Sequence, residues 1–296
     1  METTALNYDS PTSIKEFLER EGLWVTKRFG QNFLIDRSVR GRIVDALMVE
    51  PGMRVWEIGP GIGAMTELIL ERRARLIAFE IDHGFVRSLQ SLYASSGDFS
   101  VVSGDMLKTW RAQPERPDRI FGNLPYNAAF AIIADLLELN CVPERMVFTL
   151  QKEAARRMAA RPGTKDYSSF SVLCASACDV RVLFDIGASS FWPQPRVTSS
   201  VVQLVPSAAP VPAELRKSFS DFVRSAFALR RKTLRNSLRG WLNANFAAID
   251  ETARDAILLE TLLSLGHRAE IRAEALSPGE LFALYRQLHA RVSASC

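Results

Sequence analysis

Four cysteines and three histidines are few for a chain of 296 residues, and the shortage narrows the chemistry. Cys141, Cys174, Cys178 and Cys296 show no metal-site pairing, with only His83, His267 and His289 to assist them. The expectation is therefore no metal, no disulfide framework and a reducing, cytoplasmic compartment. Long uncharged runs are also missing, so no segment is suited to crossing a bilayer. Glu2, Asp9, Glu16, Glu19 and Glu21 precede any strong apolar block, unlike a secretory or transit peptide. Apolar residues make up 47% of the chain and charged residues 24%, the balance of a soluble globular protein. The length predicts one large domain or two ordinary ones. A net charge of +4 hints at a polyanionic partner but is too small to name one.

Up to about residue 205, β-type runs alternate with helical patterns, the signature of an α/β domain with a mostly parallel sheet. Strands are predicted at 54–58, 75–81, 99–103, 119–122 and 145–150, and a further pair, 179–186 and 199–205, as a hairpin closing one edge of the sheet. One helix is predicted to start at Ser13, with Glu16 completing a capping box and Gly22 as its stop; another follows Asp36 as N-cap. The stretch PSAAPVP (206–212) reads as a stiff linker. It divides a catalytic domain, 1–206, from a helical domain, 207–296, with helices at 214–244, 251–265 and 278–292. The last of these opens with Ser277, Pro278 and Glu280, a capping box with proline at the first helical position.

The turn Glu57-Ile58-Gly59-Pro60-Gly61-Ile62-Gly63 follows a strand and opens a helix, and its glycines suit a backbone that turns tightly against a ligand. Its spacing is not G-x-G-x-x-G, and Pro60 removes an N–H that a pyrophosphate would use. Glu80, at the next strand end, is placed to accept hydrogen bonds from ribose hydroxyls. Asp105, with Met106 beside it, follows the third strand and can receive an adenine amino group. Either acid taken alone could instead cap the helix after it, and Glu57 could face the ligand or order the loop amides. Nucleoside acceptors without a phosphate clamp, with Gly59 and Gly61 in the turn, describe a site for S-adenosylmethionine.

Gly122-Asn123-Leu124-Pro125-Tyr126-Asn127 follows the fourth strand and resembles the N/D-P-P-Y/F motif of methyltransferases that modify exocyclic amino groups. An adenine N6 lone pair is delocalised into the ring, so the amine needs its hydrogens drawn toward acceptors. The Asn123 side-chain oxygen and the Leu124 carbonyl can accept them, Pro125 stiffens the turn, and Tyr126 can stack on a base that has left its helix. In Phe191-Trp192-Pro193-Gln194-Pro195-Arg196, two alternate prolines make a rigid arm. Phe191 is the candidate to close the other face of the adenine, and Trp192 reads as a residue packed under a loop.

Taken in order, KRFGQNFL (27–34), EIGPG (57–61), GNLPYN (122–127), LQKE (150–153), FWPQP (191–195) and RRKTLRNSL (230–238) resemble the small-subunit ribosomal RNA adenine dimethyltransferases. The resemblance implies a class I methyltransferase fold of the Rossmann-like type, with a seven-stranded sheet and a helical C-terminal domain. It also implies transfer of two methyls to N6 of each of two adjacent adenosines in a hairpin loop near the 3′ end of small-subunit rRNA, late in ribosome assembly. It places Asn32, Leu34, Gly59, Glu80, Asp105 and Asn123 at the cofactor. A monomer acting on a precursor small subunit is expected, without membrane. After GNLPYN the chain reads Ala128-Ala129-Phe130-Ala131 where the family commonly has Ile-Ser-(Ser/Thr)-Pro, a departure beside the target base.

Between Arg216 and Gly240 there are eight basic residues against one acid, Asp221. Arg224, Arg231, Arg235 and Arg239 fall at spacings 7, 4 and 4, which places them along one helical stripe, with Arg230 and Lys232 nearby. Phe219, Val223, Phe227, Leu234 and Leu238 form its buried side. Such a stripe would neutralise phosphates. Two other readings share the scaffold: a large-subunit rRNA adenine methyltransferase of the antibiotic-resistance type, against which RRKTLRNSL argues, and a non-catalytic nucleic-acid-binding assembly factor, against which the intact Asn123, Tyr126, Glu80 and Asp105 argue. A nicotinamide dehydrogenase would need the pyrophosphate cradle that Pro60 spoils.

Overall fold

The computed structural model describes residues 6–25, 32–125 and 128–295. In chain order, α1 (Pro11–Arg20) and the two-residue β1 (Phe33–Leu34) precede the alternation α2 (Arg37–Leu47), β2 (Arg54–Ile58), α3 (Ala64–Glu71), β3 (Arg75–Glu80), α4 (His83–Leu92), β4 (Phe99–Ser103), α5 (Met106–Thr109), β5 (Arg119–Asn123), α6 (Ala129–Glu138) and β6 (Arg145–Gln151). Then come α7 (Lys152–Met158), α8 (Ser169–Ala177), β7 (Cys178–Ile186), β8 (Phe191–Trp192) and β9 (Ser199–Pro206), followed by helices alone: α9 (Arg216–Ala228), α10 (Leu234–Asn245), α11 (Glu251–Ser264) and α12 (Pro278–Ser295).

Seven of the strands form one sheet in the order β4-β3-β2-β5-β6-β9-β7. The first five are parallel, and β9 runs antiparallel to β6. From β2 to β6 the strands read as nearly continuous buried runs rather than alternating ones, because helices cover both faces. Leaving β2, the chain winds outward through β3 and β4, then returns to add β5 on β2's other side. That reversal makes the carboxyl ends of β2 and β5 the topological switch point, where open α/β sheets hold ligands.

The sequence-based boundaries change where local chemistry outvotes pattern. The cap of α1 is Ser10, whose side chain accepts from Ser13 N, with Pro11 opening the helix, so the predicted start at Ser13 is three residues late. Gly22 follows the helix at φ +63, as its role of stop requires. Asp36 caps α2 through Val39 N, and Ser277 and Glu280 form their reciprocal box at α12. The predicted helix 214–244 is two helices: α9 ends at Ala228, Lys232 N bonds back to Leu229 O, and Thr233 caps α10 through Asn236 N.

The chain divides into two compact units, one of residues 1–135, 141–155 and 180–206, the other of 136–140, 156–179 and 207–296. Residues 136–140 and 156–179, expected within the first domain, thus belong to the second unit. In the first unit, Val44, Val55, Ile69, Leu76, Phe121 and Val147 build the core around the sheet. In the second, Phe222, Trp241 and Tyr285 interlock edge-to-face or tilted at 5.0 to 6.2 Å, within a core that also holds Leu258, Leu262 and Leu288. The stretch 206–212 is no free linker, since Ser207 N and Val211 N donate to Ala177 O and Ser176 O and Val211 is buried.

Candidate active site

A cavity of 350 Å³ opens at the carboxyl ends of β2, β3, β4 and β5, within the size range of small-ligand sites. Every strand contributes its end by the same rule: the last inward residue of a parallel strand leaves the sheet at its carboxyl edge. From β2 come Glu57, Gly59 and Gly61, from β3 Glu80, from the end of β4 Asp105 and Met106, and from β5 Asn123, Leu124 and Pro125. Asn32, Leu34 and Phe191 complete the set. Tyr126 and Asn127, with Lys27 to Gln31 of the first motif, lie outside the described residues.

The glycine turn is fixed by its own backbone. Gly59, Gly61 and Gly63 all take positive φ, which side chains with a Cβ rarely adopt. Gly59 N donates to Phe79 O (2.9 Å). Gly61 N donates to Glu80 Oε2 (3.1 Å), and Asp82 N donates to Glu80 Oε1 (2.9 Å). One carboxylate therefore ties the turn after β2 to the turn after β3, while each of its oxygens keeps acceptor capacity. Burial pushes the Glu80 carboxyl above the usual range, although both amide bonds pull the other way. Glu57 is buried deeper. Its Oε2 accepts from Thr66 Oγ1 at 2.6 Å, and burial, with Glu80 nearby, pushes its carboxyl up to about 8. Asp105 accepts from Leu107 N (3.0 Å), so it caps α5 and lines the cavity at once. The two sequence readings of that acid are compatible.

Asn123 ends β5, and its Nδ2 donates to Asn32 O (3.0 Å). The donor end of the amide is thereby committed to the protein. Gly122 precedes it for a steric reason: a Cβ there would lie 2.6 Å from Leu124 Cδ2 and 3.3 Å from Ile58 Cβ. Leu34 and Phe191 face each other in the antiparallel pair β1–β8, with Phe33 opposite Trp192. The end of the first motif, Phe33–Leu34, and the start of the proline arm are thus one two-stranded element. Phe191 is buried in the cavity lining, whereas Trp192 is not part of the lining and stacks on Phe33 (6.4 Å, 22°), which is.

Sequence reasoning missed Ile81, which follows Glu80, lines the cavity and is half exposed; its place directly after the strand-end acid was the available signal. It also missed Ala128 and Ile132 at the start of α6, where a helix begins against a ligand-sized space. Among the described residues that line the cavity, three are carboxylic acids and none is Lys, Arg or His.

The family model described as ribosomal RNA adenine dimethylase matches residues 24–270. The chain belongs to the ribosomal RNA adenine dimethylase family. Within its sequence relatives, a ribosomal RNA small subunit methyltransferase A from Treponema denticola is 43% identical over 81% of this chain and 83% of its own length. The protein of that name from Treponema pallidum is 40% identical over 96% and 98%. The fold is shared with a dimethyladenosine transferase from Plasmodium falciparum, with a TM-score of 0.74, 24% identity and coverage of 86% of this chain and 97% of that one. It is shared also with the 23S rRNA methyltransferase ErmE, with a TM-score of 0.62, 23% identity and coverage of 86% and 99%.

The basic residues predicted to meet RNA lie in the second unit, and four of the six are engaged there. Arg224 pairs with Glu138 and Asp221, Arg230 with Glu274, Arg235 with Asp255 (2.9 Å) and Arg239 with Glu251 (3.4 Å). The stripe itself is broken. Arg224 stands on α9, Arg235 and Arg239 on α10, and Arg230, Arg231 and Lys232 in the turn between. Arg231 and Lys232 are exposed and have no ion-pair partner among the described residues.

Proposed function

We propose that this family member transfers methyl groups from S-adenosylmethionine to N6 of the two adjacent adenosines in the 3′-terminal hairpin of small-subunit rRNA, late in subunit assembly. The acidic character of the cavity is the observation that carries the reading. Glu80 and Asp105, with the buried and uncharged Glu57 as a further acceptor and no basic side chain among the described lining residues, suit a cationic nucleoside without phosphates and oppose a dinucleotide, whose pyrophosphate needs donors and positive charge. The names of the Treponema relatives support the small subunit as substrate.

S-adenosylmethionine supplies an electrophilic methyl on a sulfonium. The protein's part is position and electrostatics. Glu80 is set for ribose hydroxyls and Asp105 for an adenine amine, while Asn32, Leu34, Gly59, Gly61 and Met106 wall the donor and Glu57 faces its amino acid end. With Nδ2 of Asn123 bound to Asn32 O, the amide's acceptor end is the one a substrate amine meets. Asn123 Oδ1 and Leu124 O take the two N6 hydrogens, and their dipoles stabilise the cationic nitrogen as it forms. Pro125 stiffens the turn that carries Leu124 O, and Tyr126 and Phe191 are assigned the two faces of the base. No strong base is required, because the proton leaves to water after transfer.

Radiolabelled donor and undermethylated small subunits, with modified positions mapped by reverse-transcription stops, test this reading. Stops at the two adjacent adenosines are expected, and label confined to large-subunit RNA overturns it. Asn123→Ala is expected to lower turnover by at least about 100-fold, the scale for loss of a dipole aimed at developing charge, with donor affinity changed only modestly. Methylation by that variant at near the wild-type rate removes Asn123 from the assignment.

A further inference from the structure

The glycine turn at the cavity is held from behind by residues that do not line it. Gly63 ends the turn at φ +92, and a Cβ there would meet Tyr8 Oη and Tyr93 Oη, each at 3.2 Å. Tyr93 donates its hydroxyl to Gly63 O (3.3 Å), and Tyr8 Oη lies 3.4 Å from Tyr93 Oη. With the Tyr93 proton spent on Gly63 O, the Tyr8 hydroxyl is the donor between the two rings. One residue further, Ala64 O accepts from Arg40 Nη1 (3.0 Å), and Arg40 Nη2 pairs with Asp9. Arg40 is only 1% exposed, and a guanidinium so buried needs a counter-charge. Its charge also lies 5.7 Å from the Tyr8 ring centroid. Two consecutive carbonyls, the last of the turn and the first of α3, are therefore reached, each through one intermediary, by two consecutive residues of the N-terminal segment. Ile14, Phe17 and Leu18 of α1 anchor that segment in the same apolar cluster as Ile62 and Ala64. Tyr8 and Asp9 precede residues 24–270, the part matched by the family model.

We infer that Tyr8 and Asp9 are positioning residues for donor binding, locking the Gly63–Ala64 turn through Tyr93 and Arg40 so that the glycine loop is set before the donor arrives. The inference rests on the methyl-donor reading of the cavity. A preformed loop spares the donor the ordering cost on binding. Burial holds both phenols in their hydroxyl form, Tyr8 pushed up to about 12 and Tyr93 higher still, so the Tyr8–Tyr93–Gly63 chain keeps its protons at working pH.

The full-length protein is titrated calorimetrically with S-adenosylmethionine and assayed on undermethylated small subunits, alongside Tyr8→Phe, Asp9→Asn and, on the exposed side of α1, Glu16→Gln. Tyr8→Phe keeps the ring and loses the hydroxyl; Asp9→Asn keeps the shape and loses the charge. Each is expected to raise the donor Kd and the donor KM about fivefold, the worth of one hydrogen bond, with kcat at saturating donor and the KM for RNA unchanged and Glu16→Gln like wild type. Wild-type donor Kd in both Tyr8→Phe and Asp9→Asn overturns the inference. A fall in kcat with donor KM unchanged also overturns it, because that pattern marks loss of folded protein rather than of a set loop. If the wild-type protein itself binds no donor, the methyl-donor reading fails first and takes the inference with it.

Discussion

Burial decides what Glu57 is at neutral pH. Its carboxyl sits in the sheet, accepts from the Thr66 hydroxyl and has no cation beside it among the described residues, so burial favours the uncharged form and pushes the group up to about 8 from 4.5. Between those two values the unfolded chain has released a proton that the folded chain retains. The folded state then binds more protons, and its stability falls as pH rises through this window until both states are ionised above about 8. Each unit of displacement is worth about 1.4 kcal/mol. Glu57→Gln cannot ionise and keeps an acceptor for Thr66. Its melting temperature relative to wild type should therefore climb between pH 5 and pH 8.5, and a gap that stays constant across that range means Glu57 is ionised throughout. At this scale the sequence was informative where a residue's role follows from its place on a strand. Glu80, Asp105, Gly59 and Asn123 were legible because parallel strands deliver their ends to one edge. Thr66 under Glu57, Asn32 O on Asn123 and Tyr8 behind Gly63 were not, since each depends on how separate elements pack.

Elements were legible to the extent that their stop signals are local. Strand positions followed from apolar runs, and α2 and α12 followed from their caps. The break between α9 and α10 was overlooked because both helices bury one side in the same core, so Phe219, Val223, Leu234 and Leu238 keep a helical period across it. Thr233, the cap that restarts the helix, was present in the sequence and outweighed by that period. Apart from Asp221, three residues before Arg224 on α9, the acids that pair with Arg224, Arg230, Arg235 and Arg239 come from α6, the segment before α12, and α11, distances that a local charge count cannot see. The split has a measurable consequence. An arginine already paired must surrender its acid to meet a phosphate, whereas the exposed turn residues Arg231 and Lys232 surrender nothing among the described residues. Replacing both by serine should reduce the slope of log K for RNA against log salt by about 1.4 to 1.8, the counterion release of two phosphate contacts. Arg235→Ala should change the slope by less than half as much. A slope change of about 0.7 to 0.9 for Arg235→Ala in filter-binding titrations, the release of one full phosphate contact, would place the paired arginine on the RNA as well and refute the distinction.

Across the whole molecule, a net charge of +4 is the sum of +7 on residues 216–240, where eight basic residues face one acid, and −3 over the rest of the chain. Six motifs read in order conveyed the family and the fold before any geometry was known, because EIGPG, the start of GNLPYN and LQKE sit at the ends of β2, β5 and β6, whose order the fold fixes. The acidic N-terminal segment fell outside that pattern and gained a role only from its packing on the glycine turn. The acidic cavity also sets what the folded protein can be stabilised by. A ligand that binds only the folded state, at about 100 times its Kd, adds about 2.7 kcal/mol, and for a unit of this size each kcal/mol raises the melting temperature by roughly 2–4 °C. S-adenosylmethionine should therefore lift the transition of the unit that holds it by roughly 5–10 °C. NAD carries two phosphates into a cavity whose described lining offers three carboxylic acids and no cation, and at the same concentration it should leave the transition in place. Because the cavity lies wholly in the first unit, protection from hydrogen exchange should rise in the glycine turn and in β2, β3 and β5. The core of α9 to α12 gains no contact with the donor and should exchange as before. Donor-dependent protection centred on α9 to α12, or stabilisation by NAD equal to that by S-adenosylmethionine, would mean that the acidic cavity is not where the ligand binds.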